Sequence, residues 1–439
     1  MQRNKLKQAL IDQNLRFQKL NPEVRREFPA EELERHLRSS EISVITGVRR
    51  CGKSTLLAQI AASASATHRS VFLNLEDPEL EDFNLSDFAV AYEIAHELWP
   101  PEPAAAPFIF MYDEIQNIPG WEKWVRKVSE YENIKVIVTG SNSQMLSSEL
   151  ASSLTGRHVT KHLTPFLLSE LLDHHLGLAG LSDVQRGSTE TKIEINKIVN
   201  LTLSNGIFPR PYLLQDADLL PIYLNDIITR DIIRLRTVRS SAALAELSLL
   251  LTKEHTRLFN RSKSAALIGI KDLSTFSKYI NYFKECFLFS ELRMYSRSLR
   301  QKLRSNSKFY CVDPRLPSTV SKTAADKDGA AFENLAYGEL AVQNSTIHYW
   351  HSSAGYEVDF ILESARGLKA FQVSYSISSD QTKARETRAL VAAAKELGIK
   401  DLCIITFGEE DRIRMDGLQI SVIPIWKARA AALAEPKRH

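Results

Sequence analysis

The sequence predicts an α/β protein with a parallel sheet near its N-terminus, a helical middle and a smaller mixed unit at its C-terminal end. Three observations lead there. Four short apolar runs, SVIT (Ser43–Thr46), VFLNLE (Val71–Glu76), FIFMYDE (Phe108–Glu114) and VIVTGS (Val136–Ser141), alternate with longer amphipathic stretches, the pattern of parallel strands joined by crossover helices. From Phe166 to Leu251 such runs cease and helical spacing takes over. The 439 residues need two or three separate cores, and 44% apolar residues can fill them.

In chain order, residues 1–40 are charged with apolar residues at helical spacing and predict N-terminal helices. Residues 41–165 hold the parallel sheet, with a fifth strand expected between Gly156 and Thr164 and a surface connection at PPEPAAAP, Pro100–Pro107. Residues 166–239 predict a helical lid. In residues 240–315, AALAELSLLL, RSKSAALIGI and DLSTFSKYINYFKECF predict three helices. FLFSELRMYS and KFYCVD then predict a hairpin with a basic loop between them. Three helices and a hairpin make the pattern of a winged helix-turn-helix whose third helix spans Asp272–Phe287. Residues 329–430 read helix (Ala330–Gln343), strands IHYW, EVDFIL and AFQVSY, helix (Thr382–Leu397) and strand LCIIT, an αβββαβ unit.

Composition excludes several classes. With 56 basic and 53 acidic residues the formal charge is +3, so a nucleic-acid surface has to be a local patch. Cys51, Cys286, Cys311 and Cys403 lack C-x-x-C spacing, which argues against zinc and a disulfide framework and fits a reducing cytoplasm. Neither a signal-peptide core nor a membrane-length apolar run is expected.

The stretch Gly47-Val48-Arg49-Arg50-Cys51-Gly52-Lys53-Ser54, followed by Thr55, satisfies G-x-x-x-x-G-K-[ST] between an apolar strand and an amphipathic helix. This Walker A pattern predicts ATP binding. Its backbone N–H groups curl round the phosphates, Lys53 reaches the β and γ oxygens, and Ser54 is a Mg²⁺ ligand. FIFMYDE ends in Asp113, expected to hold Mg²⁺, and Glu114, expected to polarise the attacking water. Asn142, just past VIVTGS, is placed to sense the γ-phosphate. Arg157 follows the helical stretch SQMLSSELASSL and suits an arginine finger reaching a neighbouring subunit's nucleotide, or else a solvated helix-end cation. Arg210, in NGIFPRP, reads first as a turn arginine and only second as a lid residue contacting phosphate.

These motifs, together with GSNSQMLSSELASSLTGR, HLTPFLLSELL, YLNDIITRDIIRL and AGYEVDF followed by FQVSYS, resemble AAA+ ATPases. The resemblance is to a large prokaryotic family of ATP-binding proteins related to archaeal ATPases, with a C-terminal domain of unknown function. It implies a P-loop AAA+ core with a helical lid, ATP hydrolysis, and homo-oligomeric, hexameric rings in which Arg157 acts across the interface.

The C-terminal order resembles the PD-(D/E)XK nuclease fold, and the resemblance places Glu333 as the helix acid, Asp359 as the central Asp and Gln372 where a Glu belongs. Ser374 stands in place of the Lys, which argues against cleavage, although Lys383 or Arg385 could migrate into the role. Arg297, Arg300, Lys302, Arg304 and Lys308, in or beside the wing, and Lys271 and Lys278 on the third helix predict phosphate contacts with duplex or branched DNA. The leading expectation is an oligomeric ATPase that remodels or translocates on DNA. A nucleotide switch that assembles with a protein partner and an ATP-gated nuclease are the alternatives.

Overall fold

The computed structural model describes residues 1–28, 34, 35, 37, 39, 41–100, 107–130, 134–143, 158–181, 185, 187–321, 327–341, 345–365 and 367–434. They form two compact units, Met1–Pro165 with Glu285–Phe287, and Phe166–Lys284 with Leu288–His439. Among the described residues no helix is long and apolar enough to cross a membrane.

The first unit is built on strands β1 (Ile42–Thr46), β2 (Arg69–Asn74), β3 (Phe108–Asp113), β4 (Ile134–Gly140) and β5 (His158–His162) in the order β2-β3-β4-β1-β5. Every pairing is parallel. The continuous apolar runs of the sequence follow from this: a parallel sheet is covered on both faces, and all residues of β1 and β3 are buried. Helix α1 (Arg3–Gln18) buries Leu6, Ala9, Leu10, Gln13, Asn14 and Phe17, one face at helical spacing. It also closes the β2 edge. The Asn14 amide accepts from Phe72 N–H at 2.8 Å and donates to Phe72 C=O at 3.0 Å, while Gln13 accepts from Asn74 N–H at 2.7 Å. Both polar residues are buried because they replace the missing neighbour strand. Helices α2 (Lys53–Ala64), α3 (Asp87–Leu98) and α4 (Trp121–Ser129) complete the described crossovers.

The second unit opens with helices α5 (Leu168–Leu176), α6 (Thr189–Asn205), α7 (Pro209–Leu214) and α8 (Leu219–Asp226), the last running into a π-helical turn over Ile227–Ile233. Buried Asp313 holds its α6–α7 connection, accepting from the N–H groups of Ile207 (2.6 Å) and Phe208 (3.1 Å). Next come α9 (Ser241–Lys253), β6 (Leu258–Phe259), α10 (Arg261–Leu267), α11 (Leu273–Glu285), β7 (Phe289–Arg293), α12 (Leu299–Arg304) and β8 (Ser307–Cys311), with sheet order β6-β8-β7. The loop expected between the two hairpin strands contains helix α12, whose first turn Ser298 caps by accepting from Gln301 N–H. Helix α11 starts at Leu273, so Lys271 lies ahead of it.

After α13 (Leu316–Ser321) the last part runs α14 (Lys327–Leu340), β9 (Ser345–His351), β10 (Glu357–Ser364), β11 (Gly367–Val373), α15 (Asp380–Leu397) and β12 (Asp401–Thr406). Then come two strands beyond the αβββαβ reading, β13 (Asp411–Met415) and β14 (Leu418–Pro424), and helix α16 (Ala428–Leu433). The six strands lie in the order β13-β14-β12-β11-β10-β9. The DRIRM strand escaped sequence reading because it is a largely exposed edge without an apolar run.

Candidate functional site

Strand order builds the first site. With β4 between β1 and β3, the loop after β1, the acids ending β3 and the polar residues after β4 meet at the carboxyl ends of three neighbouring strands, where α/β sheets bind ligands. Gly47 has no room for a side chain: a Cβ there would lie 2.1 Å from the Leu163 carbonyl oxygen and 2.9 Å from Cys51 Sγ. Arg50 (φ 68°) and Gly52 (φ 102°) both take left-handed backbone, which curls the loop into α2. Buried Arg26 braces it, donating to the carbonyls of Cys51 at 2.5 Å and Thr164 at 2.7 Å. Val48 and Cys51 are buried and serve the loop by packing.

Lys53 is 4% exposed and its ammonium lies 3.1 Å from Glu114 Oε1, donating also to the carbonyls of Gly47 (3.1 Å) and Val48 (3.3 Å). Burial opposes its charge most strongly, but Glu114, Cys51 and Asp113 together raise the Lys53 pKa. Burial likewise resists ionisation of Glu114, yet Lys53 and then Arg49 hold its carboxyl down at about 2. Glu114 sits at φ 53°, a left-handed conformation that costs a non-glycine residue about 1 kcal/mol. Its N–H is held by Thr139 Oγ1 at 3.1 Å and its Oε2 by the Gln116 amide at 2.6 Å.

Ser54 Oγ donates to Asp113 Oδ2 at 2.5 Å, and the Thr139 hydroxyl donates to Asp113 Oδ1. Burial and then the neighbouring Glu114 raise the Asp113 pKa, with the two hydroxyl bonds pulling it back. Arg49 turns from the loop to Glu76 at 2.7 Å. Thr55 begins α2 half-buried, and Asn142 is buried just beyond β4. Arg157 lies outside the described residues.

Sequence reading missed Arg26, Glu76, Gln116 and Thr139. Thr139 carried the one available signal, a hydroxyl in the polar tip of VIVTGS. Gln116 meets Glu114 two residues away, whereas Arg26 and Glu76 become partners only through tertiary packing.

The expected DNA contacts divide. Lys271, Lys278, Arg297, Arg300 and Arg304 are exposed, and Lys302 is half-buried. Arg293, Lys302 and Arg304 line, with Arg261, a cavity of about 330 Å³. Lys308 is not a surface cation. It is 3% exposed, within 2.5 Å of Glu357 Oε1, 3.6 Å of Glu333 Oε1 and 3.7 Å of Asp359 Oδ1. Alternation along β8 sends Lys308 and Tyr310 to one face, and the Tyr310 hydroxyl donates to Glu333 at 2.6 Å. Neither surrogate proposed for the missing motif lysine reaches the acids: Lys383 pairs with Asp411 at 3.3 Å and Arg385 pairs with Glu386. Gln372 accepts from Asp359 N–H at 3.3 Å, and Ser374 Oγ donates to the Ser376 carbonyl. Arg210 is exposed on α7 rather than in a turn.

A family model described as an AAA domain matches residues 39–172. This chain carries an AAA domain. Behind the AAA domain, residues 197–327 and 328–428 match families described as domains of unknown function, DUF8612 and DUF4143. An uncharacterized protein of Methanocaldococcus jannaschii is 28% identical over 444 residues, spanning 95% of this chain and 96% of its own length. An uncharacterized protein of Haemophilus influenzae is 26% identical over 403 residues, 88% of this chain and 94% of that protein. Among solved structures, the ORC2 protein of Aeropyrum pernix in its ADP form is 13% identical, with TM-score 0.33, over 74% of this chain and 98% of that one.

Proposed function

We propose that the AAA domain binds ATP with Mg²⁺ and hydrolyses it. One observation carries the reading: Lys53 pairs at 3.1 Å with Glu114, the residue suited to activate water, while Ser54 and Asp113 converge at 2.5 Å beside them. The residues fit the metal. Ser54 and Asp113 would hold Mg²⁺, which supplies neutralisation of the triphosphate charge. Lys53 leaves Glu114 and the two loop carbonyls for phosphate oxygens, and Glu114 is thereby released to accept a proton from water. Gln116 and Thr139 keep its carboxyl and backbone in place during that exchange, and Asn142 faces the γ-phosphate side. Calorimetry with Mg²⁺ tests this directly; no heat of ATP association would sink it.

The load is proposed to be DNA, duplex or branched. Support comes from the basic cavity around Arg261, Arg293, Lys302 and Arg304 on a three-helix and hairpin arrangement of winged-helix type, in which phosphate contacts position the protein without reading sequence. ATP turnover should then rise on adding duplex or junction DNA and stay flat in Lys302→Ala/Arg304→Ala. Unchanged turnover with every nucleic acid would remove this reading.

Assembly into a ring, hexameric by the family resemblance, with Arg157 as a finger in trans is tested by mixing Arg157→Ala with Glu114→Gln subunits. Recovered turnover in the mixture supports the finger. The Lys53–Glu114 pair also favours the switch reading, because it keeps the base neutralised until triphosphate arrives. Tight ADP retention with DNA-independent turnover would select it.

A further inference from the structure

Lys308, in the C-terminal unit, is as deeply buried as Lys53, and its surroundings differ from those of Lys53. Strand β8 delivers Lys308 from the hairpin, α14 delivers Glu333, and β10 delivers Glu357 and Asp359 on one face two residues apart. Pairing of β10 with β9 slips between Val358 and Ile361. A bulge there re-aims the side chains around Asp359. Two further bonds fix the strand against the helix: Cys311 N–H donates to Asn334 Oδ1 and the Asn334 amide donates back to the Cys311 carbonyl, both at 2.8 Å.

The nuclease-like reading of Glu333, Asp359 and Gln372 implies a divalent metal among them, and the residues present do not fit one. An ammonium already stands within 3.7 Å of all three carboxylates. Asp359 Oδ2 is taken by Val373 N–H at 2.9 Å, and Gln372 spends its carbonyl oxygen on Asp359 N–H. Among the described residues no group of three or more His, Cys, Asp or Glu side chains is arranged to hold a metal ion.

We infer that Lys308 is the built-in cation of this cluster, standing where a nuclease of this fold would take a divalent metal, so that the unit is a metal-free clamp joining the basic hairpin to the C-terminal sheet. The charges agree. Burial opposes the Lys308 charge, but Glu333, Asp359 and Glu357 together raise its pKa. Burial and then Glu333 push Asp359 well above the usual carboxylate range, and burial raises Glu333 against the pull of Lys308 and Tyr310. A metal would have to displace the ammonium that already stands among the three carboxylates.

The inference rests on the nuclease-like reading, and one experiment separates the two. Nucleotide-free full chain carrying Ser54→Ala and Asp113→Asn, which silences the nucleotide-site metal, is titrated with Mn²⁺ and free Mn²⁺ is followed by electron paramagnetic resonance. The expected result is no Mn²⁺ uptake that Asp359→Asn removes, no shift of the melting temperature by Mn²⁺, and a gain of one Mn²⁺ per chain in Lys308→Ala that adding Asp359→Asn abolishes. One Mn²⁺ per chain bound with Lys308 intact and lost in Asp359→Asn would overturn the inference while leaving the nuclease-like reading standing. No uptake in either protein would overturn the nuclease-like reading, and with it the metal-for-lysine exchange. Where Lys308→Ala does not fold, the isosteric Lys308→Met replaces it, and Mn²⁺ uptake with Lys308 intact still overturns the inference.

Discussion

Two lysines of this chain are buried to nearly the same extent, Lys53 at 4% and Lys308 at 3%, yet their partners give them opposite roles. Lys53 has one carboxylate and two glycine-loop carbonyls, a set that a triphosphate can replace because it offers more negative charge in the same place. Lys308 has three carboxylates from two elements and leaves none of them for an incoming cation. A buried ammonium is therefore exchangeable or permanent according to how many fixed charges surround it. Burial alone does not distinguish the two.

Stability should separate the two lysines by the largest margin. Lys308→Ala strands the carboxylate cluster and should lower the unfolding free energy by about 3–5 kcal/mol, while ATP affinity measured by calorimetry stays within about twofold, as for sites that share no partner residue. Equal loss of nucleotide affinity would erase the distinction. Glu114→Gln should reduce turnover by roughly 10²–10³-fold, about 3–4 kcal/mol, with triphosphate binding retained or tightened because Lys53 is released. Lys53→Ala should weaken triphosphate binding by about 100-fold, or about 2.7 kcal/mol; unaltered binding would make Lys53 as structural as Lys308.

The smallest effect is the response to pH, and its sign differs between the sites. Glu114 is depressed to about 2 from 4.5, so the stability it contributes is present above 4.5 and is lost as pH falls through about 2. Asp359 is raised, so its contribution is present below its ordinary value of 3.8 and is lost as pH rises through its elevated one. Melting curves of Glu114→Gln should thus approach wild type on acidification between 4.5 and 2. Wild type should gain stability on Asp359→Asn as pH falls, because the amide cannot take up the proton that the raised carboxyl binds.

The difference also explains what could be read in advance. Gly47, Lys53, Ser54 and the Asp113–Glu114 pair were legible because a phosphate loop is a local device: one turn and one strand tip contain its chemistry, and steric need fixes the glycine. Lys308 looked like one more charge of a basic loop, since nothing within its neighbours in the chain marks it as buried. The motif position held Ser374, and Lys383 and Arg385, which are closer in sequence, go elsewhere.

From the order of residues alone come the parallel sheet, the nucleotide loop, the acidic strand tip and the helix-and-strand succession of the C-terminal unit, because each depends on spacing within a few turns or strands. Only the tertiary structure decided that Glu114 is held by Lys53 and Thr139, that α12 interrupts the hairpin, and that Lys308 belongs to an acidic cluster. Those depend on which strands become neighbours and where a bulge turns a side chain. Such facts follow from packing the whole chain and from the high cost of leaving any buried charge unpaired.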